Sequence, residues 1–382
     1  MRIPLSGPDI TEAEIDAVAA VMRSGRLSLG PKLEEFEAAL ANYVGARYAV
    51  AVSSGTAGLH LMVRALGIGE GDEVIMPSFT FIAVANAVRY ERAAPVFADI
   101  DPTTLNLDPA AVEAAITPRT RAILAVHTFG VPADLKKIAM IAEKHQLILI
   151  EDACEALGAE WRGKKAGAFG QAGVFGFYAN KQITTGEGGA VVTNNETLAA
   201  RLRSLRNQGR TPTGEWFEHA EIGYNYRLSE LHAAMGIEQL KRIDAILVRR
   251  AEIARGYSDR LAARAELVLP LSQIADGKIS WFVYVIRLAE KFSRAKRDAI
   301  VETMGKRGIA CARYFAPIHL QPAYKADGFE LPVSEHVAER TIALPFFNGL
   351  SESQLDEVCR ALHECVERAR GKKSVAKSAA RL

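Results

Sequence analysis

The chain has 382 residues, enough for two domains or three. Its 49% apolar and 24% charged residues are the mix of a folded globular protein, which excludes a disordered chain and a fibrous one. The formal net charge is +2, and residues 371–382 hold four basic side chains and no acidic one. The slight basicity therefore belongs to the tail, and no nucleic-acid-binding face is expected.

The four cysteines, Cys154, Cys311, Cys359 and Cys365, include no C-x-x-C pair and are too few for a disulfide framework. The N-terminal stretch lacks the apolar core of a signal peptide, and no apolar run approaches the roughly 20 residues of a membrane span. These features predict a soluble, cytoplasmic protein.

The first helix is marked by the capping box Thr11-x-x-Glu14, with Ile15, Val18, Ala19 and Met22 at helical spacing and Gly25 as its stop. A second helix starts at Pro31 and carries Leu33, Phe36, Leu40 and Tyr43 on one face. Short apolar runs then alternate with helical patterns. The runs cover residues 48–52, 74–76, 96–98, 123–126, 147–150, 174–177 and 190–192, with helical stretches such as 108–116 and 134–145 between them. Continuous apolar runs of this kind are strands buried on both faces, so the expected fold is α/β with a mostly parallel seven-stranded sheet. Residues 228–264 read as helical. A strand at 281–288, a helix at 294–305 and a final helix ending near Arg370 predict a smaller C-terminal α+β domain. The expected organisation is a large domain over 1–245, a small domain over 246–370 and a disordered basic tail over 371–382.

Three local features carry chemistry. Lys181 follows a strand and precedes the glycine-dense turn Gly186-Glu187-Gly188-Gly189. A lysine held there reads as a Schiff-base former or as a solvated loop residue. Asp152 ends the run Leu147-Ile148-Leu149-Ile150-Glu151-Asp152, at the strand end where open α/β sheets bind ligands. It reads as the partner of a cationic ring nitrogen, as in pyridoxal phosphate (PLP), or as a helix N-cap. Ser53-Ser54-Gly55-Thr56-Ala57-Gly58 joins a strand to a helix without a Walker or G-x-G-x-x-G pattern. It reads as a phosphate cradle or as a tight turn. Together the three give a phosphate site, an acid for a pyridinium and a lysine.

From about Ile3 to about Arg370 the chain resembles the DegT-type nucleotide-sugar aminotransferases, PLP enzymes of the aspartate-aminotransferase fold. The resemblance is carried by SGRLSLGPKLEEFE, VSSGTAGLHL, MPSFTFIAVANAV, VHTFGVPAD, IEDACEALGA, FYANKQITTGEGGAVVT, GYNYRLSELHAA, YFAPIHLQPAY and ALPFF.

The resemblance implies a role for each matching residue. Lys181 would form the Schiff base and move the substrate proton. Asp152 would pair with the pyridine nitrogen, and the Ser54, Gly55, Thr56 turn would hold the phosphate. Phe81 would stack on the ring, where the residues alone suggest a core aromatic. Glu155 stands where many members carry Gln against the phenolic oxygen. There it would be protonated, turned away or matched to a different local charge. Asn225 would reach across a homodimer interface to the partner's cofactor phosphate. Arg227 would serve that interface or the sugar nucleotide. Arg313, Tyr314 and His319 lie in the segment that approaches substrate, and for His319 a structural role is as open as a binding one. His127 reads as strand-end packing or a backbone-fixing residue.

Gly176 stands where many members have a serine that donates to the phosphate. A more easily lost cofactor is expected, with serine at 176 tightening it. Dehydratase relatives replace the lysine by histidine, so Lys181 implies aminotransfer. The implied reaction moves the amino group of L-glutamate to a keto carbon of a nucleotide-linked hexose, a 4-keto-6-deoxy sugar before a 3-keto one, for surface polysaccharide or glycoconjugate synthesis. A PLP-binding sensor and a cyclitol aminotransferase are the alternatives. No metal is implied.

Overall fold

The structure, a computed structural model, describes residues 2–211, 218–325 and 328–371. It opens with α1 (Glu12–Ser24) and α2 (Pro31–Val44). Alternation follows: β1 (Tyr48–Val52), α3 (Gly55–Ala65), β2 (Glu73–Pro77), α4 (Ala83–Tyr90), β3 (Ala94–Ala98), α5 (Pro109–Ala114), β4 (Thr120–Val126), α6 (Leu135–Lys144) and β5 (Ile148–Asp152). A small hairpin, β6 (Glu160–Trp161) and β7 (Lys164–Lys165), leads to β8 (Ala172–Gly176) and β9 (Gly189–Thr193). Then come α7 (Glu196–Arg206), α8 (Glu230–Lys241) and α9 (Ile243–Leu261). The last part holds β10 (Leu267–Val268), β11 (Gly277–Lys278), β12 (Tyr284–Leu288), α10 (Arg294–Lys306), α11 (Pro332–Ala338), β13 (Thr341–Leu344) and α12 (Glu352–Ala369).

The first helix begins where its capping box predicts, with Thr11 N donating to Glu14 Oε2 at 2.7 Å, and Gly25 ends it at φ 71°.

All seven expected strands join one sheet, ordered β1-β9-β8-β5-β4-β2-β3. β9 is antiparallel to both of its neighbours, and the other pairings are parallel. The alternation of side chains across a strand divides the core in two. Val50, Val52, Val74, Met76, Leu124, Ile150, Val174 and Val191 face α3, α4 and α7. On the other face, Ala51, Phe175 and Val192 pack with α2 and α8, and Ile75, Ile123 and Leu149 pack with α5 and α6. Both faces are covered, so the strands could be apolar throughout.

A second, three-stranded sheet, β10-β12-β13, shares a core with α9, α10 and α12. The boundary expected between residues 245 and 246 falls inside α9. Ile243, Ile246 and Leu247 of that helix pack with the large sheet, whereas Ile253, Ala254, Tyr257 and Leu261 pack with the small one. Ile3, at the opposite end of the chain, also enters the small core and bridges to Ile309. Residues 372–382 of the expected tail lie outside the described residues.

Candidate active site

The parallel strands end along one edge, and the α3 turn, Asp152 and the Lys181 loop start there. β1 runs out at Val52, and Ser54 caps α3 by accepting from Ala57 N at 3.0 Å. The N–H groups of Gly55 and Thr56 head this helix and have no acceptor among the described residues, so a helix dipole and two free donors point out of the edge. The first residue of β9 backs this turn. A Cβ at Gly189 would lie 2.6 Å from Gly55 N and 2.6 Å from the Ser54 carbonyl, so only glycine lets β9 approach so closely.

β5 ends in two carboxylates with separate jobs. Glu151 is fully buried. It accepts from the N–H groups of Gly167, Phe169 and Gly170 at 2.8, 2.6 and 2.7 Å and lies 3.0 Å from His127 Nε2. His127 Nδ1 accepts from Ala133 N at 3.1 Å, so His127 packs and fixes backbone, as expected. Asp152 lines the opposite side of the strand end. One of its oxygens accepts from Cys154 N at 2.9 Å.

Lys181 emerges from the loop between β8 and β9. Its Nζ is 4.1 Å from the centre of the Phe282 ring and 4.0 Å from Glu155 Oε1. Gln182 stitches this loop down, donating to Glu155 O at 2.6 Å and to Ser280 Oγ at 3.0 Å. Glu155 Oε2 accepts from Phe129 N at 2.9 Å. Burial raises the Glu155 carboxyl to about 7, opposed by the nearby Lys181 ammonium and the Phe129 N–H and assisted by Asp152.

These groups surround one cleft of about 640 Å3, which also takes in Phe81, Arg313 and Tyr314. Phe81 leaves 61% of its surface exposed there, which is unusual for a phenylalanine and suits a ring that is covered only by a ligand. Burial raises the Tyr314 hydroxyl, with Glu155 adding to the effect. Arg313 sits half-exposed, its Nε 2.6 Å from Asp298 Oδ1.

Three residues implied by the resemblance stand outside this cleft. His319 is buried, with Nδ1 2.7 Å from Ser78 Oγ and Nε2 3.1 Å from Glu335 Oε1, so it ties its segment to the end of β2. Arg227 donates to Asn207 Oδ1 at 2.9 Å, and its backbone bridges Val52 beside the phosphate turn. Asn225 is exposed between two anchored tyrosines. Tyr224 donates to Glu91 at 3.0 Å, Tyr226 lies 3.2 Å from His60 Nδ1, and the two rings stack at 5.1 Å.

The donor set fits PLP. The α3 N-terminus suits its phosphate, Asp152 its ring N–H, Phe81 its ring face and Lys181 its aldehyde. Asn180 Oδ1, a buried atom beside Lys181 with no partner among the described residues, is a further polar group in the cleft wall. Among the described residues no group of three or more metal-ligating side chains gathers. Sequence reasoning missed Phe282, which comes from a strand-like apolar run 101 positions after Lys181, as well as Tyr178 and Cys154. The Cys154 side chain carried no signal, being a single cysteine without a partner motif.

Residues 8–363 match the DegT/DnrJ/EryC1/StrS aminotransferase family. The chain is 41% identical to the GDP-perosamine synthase of Caulobacter vibrioides, over 95% of this chain and 98% of that one. It is 38% identical to the spore coat polysaccharide biosynthesis protein SpsC of Bacillus subtilis, over 96% and 97%. The PLP form of Spr1654 from Streptococcus pneumoniae superposes with a TM-score of 0.92 at 30% identity, over 97% of this chain and 100% of that one. The chain therefore belongs to the DegT/DnrJ/EryC1/StrS family and is a PLP-dependent aminotransferase.

Proposed function

We propose that the protein transfers the amino group of L-glutamate to a keto carbon of a nucleotide-linked 4-keto-6-deoxy hexose, in the cytoplasm, for surface polysaccharide synthesis. The observation that carries the reading is the convergence of Lys181, Asp152 and the free N–H groups of Gly55 and Thr56 on one cleft. The substrate class is supported by the Caulobacter relative, named for a GDP-linked product, and the pathway by the polysaccharide name of the Bacillus relative. No helix among the described residues is long and apolar enough to cross a membrane.

When bound, PLP supplies an electron sink for the carbon that loses its proton. The other roles fall to the chain. Lys181 would hold the cofactor's aldehyde, and its Nζ would be the group that takes up and returns the substrate proton. Asp152 keeps the ring nitrogen protonated by holding a negative charge against it. Gly55 and Thr56 bind the phosphate through N–H groups, and Phe81 shields one ring face from water. Arg313 and Tyr314 stand at the substrate side of the cleft. Asn225 would lie at a homodimer interface and reach the partner's cofactor phosphate, and Arg227 would serve that interface or the sugar nucleotide. The exposure of Asn225 between anchored tyrosines supports this.

The test is incubation with L-glutamate and GDP-, dTDP- or UDP-linked 4-keto-6-deoxy hexoses. Stoichiometric 2-oxoglutarate and amino sugar are expected from one of them. 2-Oxoglutarate release with none of these acceptors aminated would reject the substrate assignment and leave the aminotransferase intact.

A further inference from the structure

Glu155 is a carboxyl set in the wall of the cleft, 8% exposed, with one oxygen on the Phe129 N–H and the other 4.0 Å from Lys181 Nζ. Its separation from the lysine is fixed by the neighbouring side chain: Gln182, the residue after Lys181, donates its Nε2 amide to the Glu155 backbone carbonyl at 2.6 Å. Gln182 is in turn locked by Ser280, whose hydroxyl donates to Leu157 O at 2.6 Å. The titratable groups that bear on Glu155 are Lys181 from the β8–β9 loop, Asp152 and Cys154 from the end of β5 and Tyr314 from the segment after α10. Of these only Lys181 brings positive charge.

We propose that Glu155 is the proton-carrying partner of Lys181: in mildly alkaline solution it is ionised while Lys181 is a free ammonium, and protonated once the lysine nitrogen is bonded to PLP. The proposal rests on the reading of Lys181 as the residue that bonds the cofactor. Loading removes the free ammonium that favours the carboxylate and displaces water from the wall Glu155 lines. It also brings in the cofactor's phenolic oxygen, carried by the ring carbon next to the one that bears the aldehyde. Each change favours the neutral acid, and the carboxyl starts from about 7, so little is needed to protonate it. A neutral Glu155 can donate a hydrogen bond into the cleft, which a carboxylate cannot. The proton balance closes on the lysine. Its ammonium nitrogen gives two protons to the water expelled with the aldehyde oxygen and releases the third as its charge is lost, and above about pH 7 Glu155 takes up one proton.

The test compares PLP affinity of wild type and Glu155→Gln, each stripped of cofactor, between about pH 6 and pH 9. Protons exchanged by PLP itself are common to both proteins and cancel in the ratio. Below about pH 7 the ratio should be flat. Above it, wild type should weaken relative to the variant by about tenfold per pH unit. A ratio constant over the whole range overturns the proposal. Wild-type protein alone gives a second readout. Loading PLP at about pH 8 should produce a protonated-carboxyl band in the infrared difference spectrum, and no such band overturns the proposal even if the variant does not fold. A covalent PLP band in Lys181→Ala would instead sink the reading of Lys181.

Discussion

Glu151 and Asp152 are adjacent in sequence and leave β5 on opposite faces of the sheet. Glu151 is spent on three backbone N–H groups and His127, while Asp152 opens onto the cleft. One carboxylate holds the fold and the other serves the cofactor.

Substitutions at the pair should therefore separate stability from activity. Glu151→Ala strands the buried Gly167 N–H, the part-buried N–H groups of Phe169 and Gly170 and the buried His127 ring, and should cost about 3 kcal/mol, read as a large drop in the unfolding midpoint. Asp152→Asn should leave the midpoint of the cofactor-free protein nearly unchanged and lower turnover by about 100-fold or more. Equal losses of stability would contradict the division.

At Gly189 the prediction concerns space. Gly189→Ala drives a methyl group against Gly55 N and the Ser54 carbonyl. PLP affinity, measured by equilibrium dialysis, should fall at least about tenfold as the helix N-terminus moves. Unchanged affinity would mean that this turn does not hold the phosphate.

The departure at Gly176 has a structural companion. A Cβ there would stand 3.3 Å from Cys154 Sγ and 3.4 Å from its Cβ, so the cysteine fills the space a serine would enter. The sequence-based expectation that serine at 176 tightens the cofactor is thus narrowed. Gly176→Ser alone should change PLP affinity little, and the Cys154→Ala, Gly176→Ser double variant should bind more tightly than either single one. Tightening by serine alone would show that Cys154 yields freely.

Glu155 makes the cofactor-free protein pH-sensitive. Its carboxyl is raised from 4.5 to about 7 by burial. The folded state therefore holds a proton that the unfolded state releases between these values, and stability falls as pH rises through that window. The loss is bounded at about 3 kcal/mol and is complete above about pH 7. Glu155→Gln should lack it, so the variant should gain on wild type between about pH 5 and pH 8 in urea unfolding. A pH-independent difference would show that Glu155 does not titrate there.

Much of this was legible in the chain. The seven strands announced themselves as apolar runs because both sheet faces are covered by helices. That same coverage hid the phase. In Leu147-Ile148-Leu149-Ile150-Glu151-Asp152 no polar alternation marks a face, so the run alone did not tell which carboxylate would meet the cleft, and it was the family resemblance that singled out Asp152. The reversed direction of β9 was hidden too, since strand direction depends on pairing, although the short β8–β9 loop carries Lys181. α9 runs through the expected domain boundary because one helix serves two cores. Phe282 could not be read, because an aromatic in a strand-like run looks like any core residue. Lys181, Asp152 and the Ser54–Thr56 turn were readable because glycines and charges interrupt apolar runs at fixed places.

The account centres on Lys181 as the residue that bonds PLP and turns over with an amino donor. The most direct measurement is the visible absorbance spectrum of the PLP-loaded protein before and after L-glutamate, with Lys181→Ala alongside. Wild type should show a Schiff-base band that glutamate abolishes with release of 2-oxoglutarate, and the variant should show no such band. A band that persists in Lys181→Ala, or none in wild type supplied with PLP, would contradict the central claim.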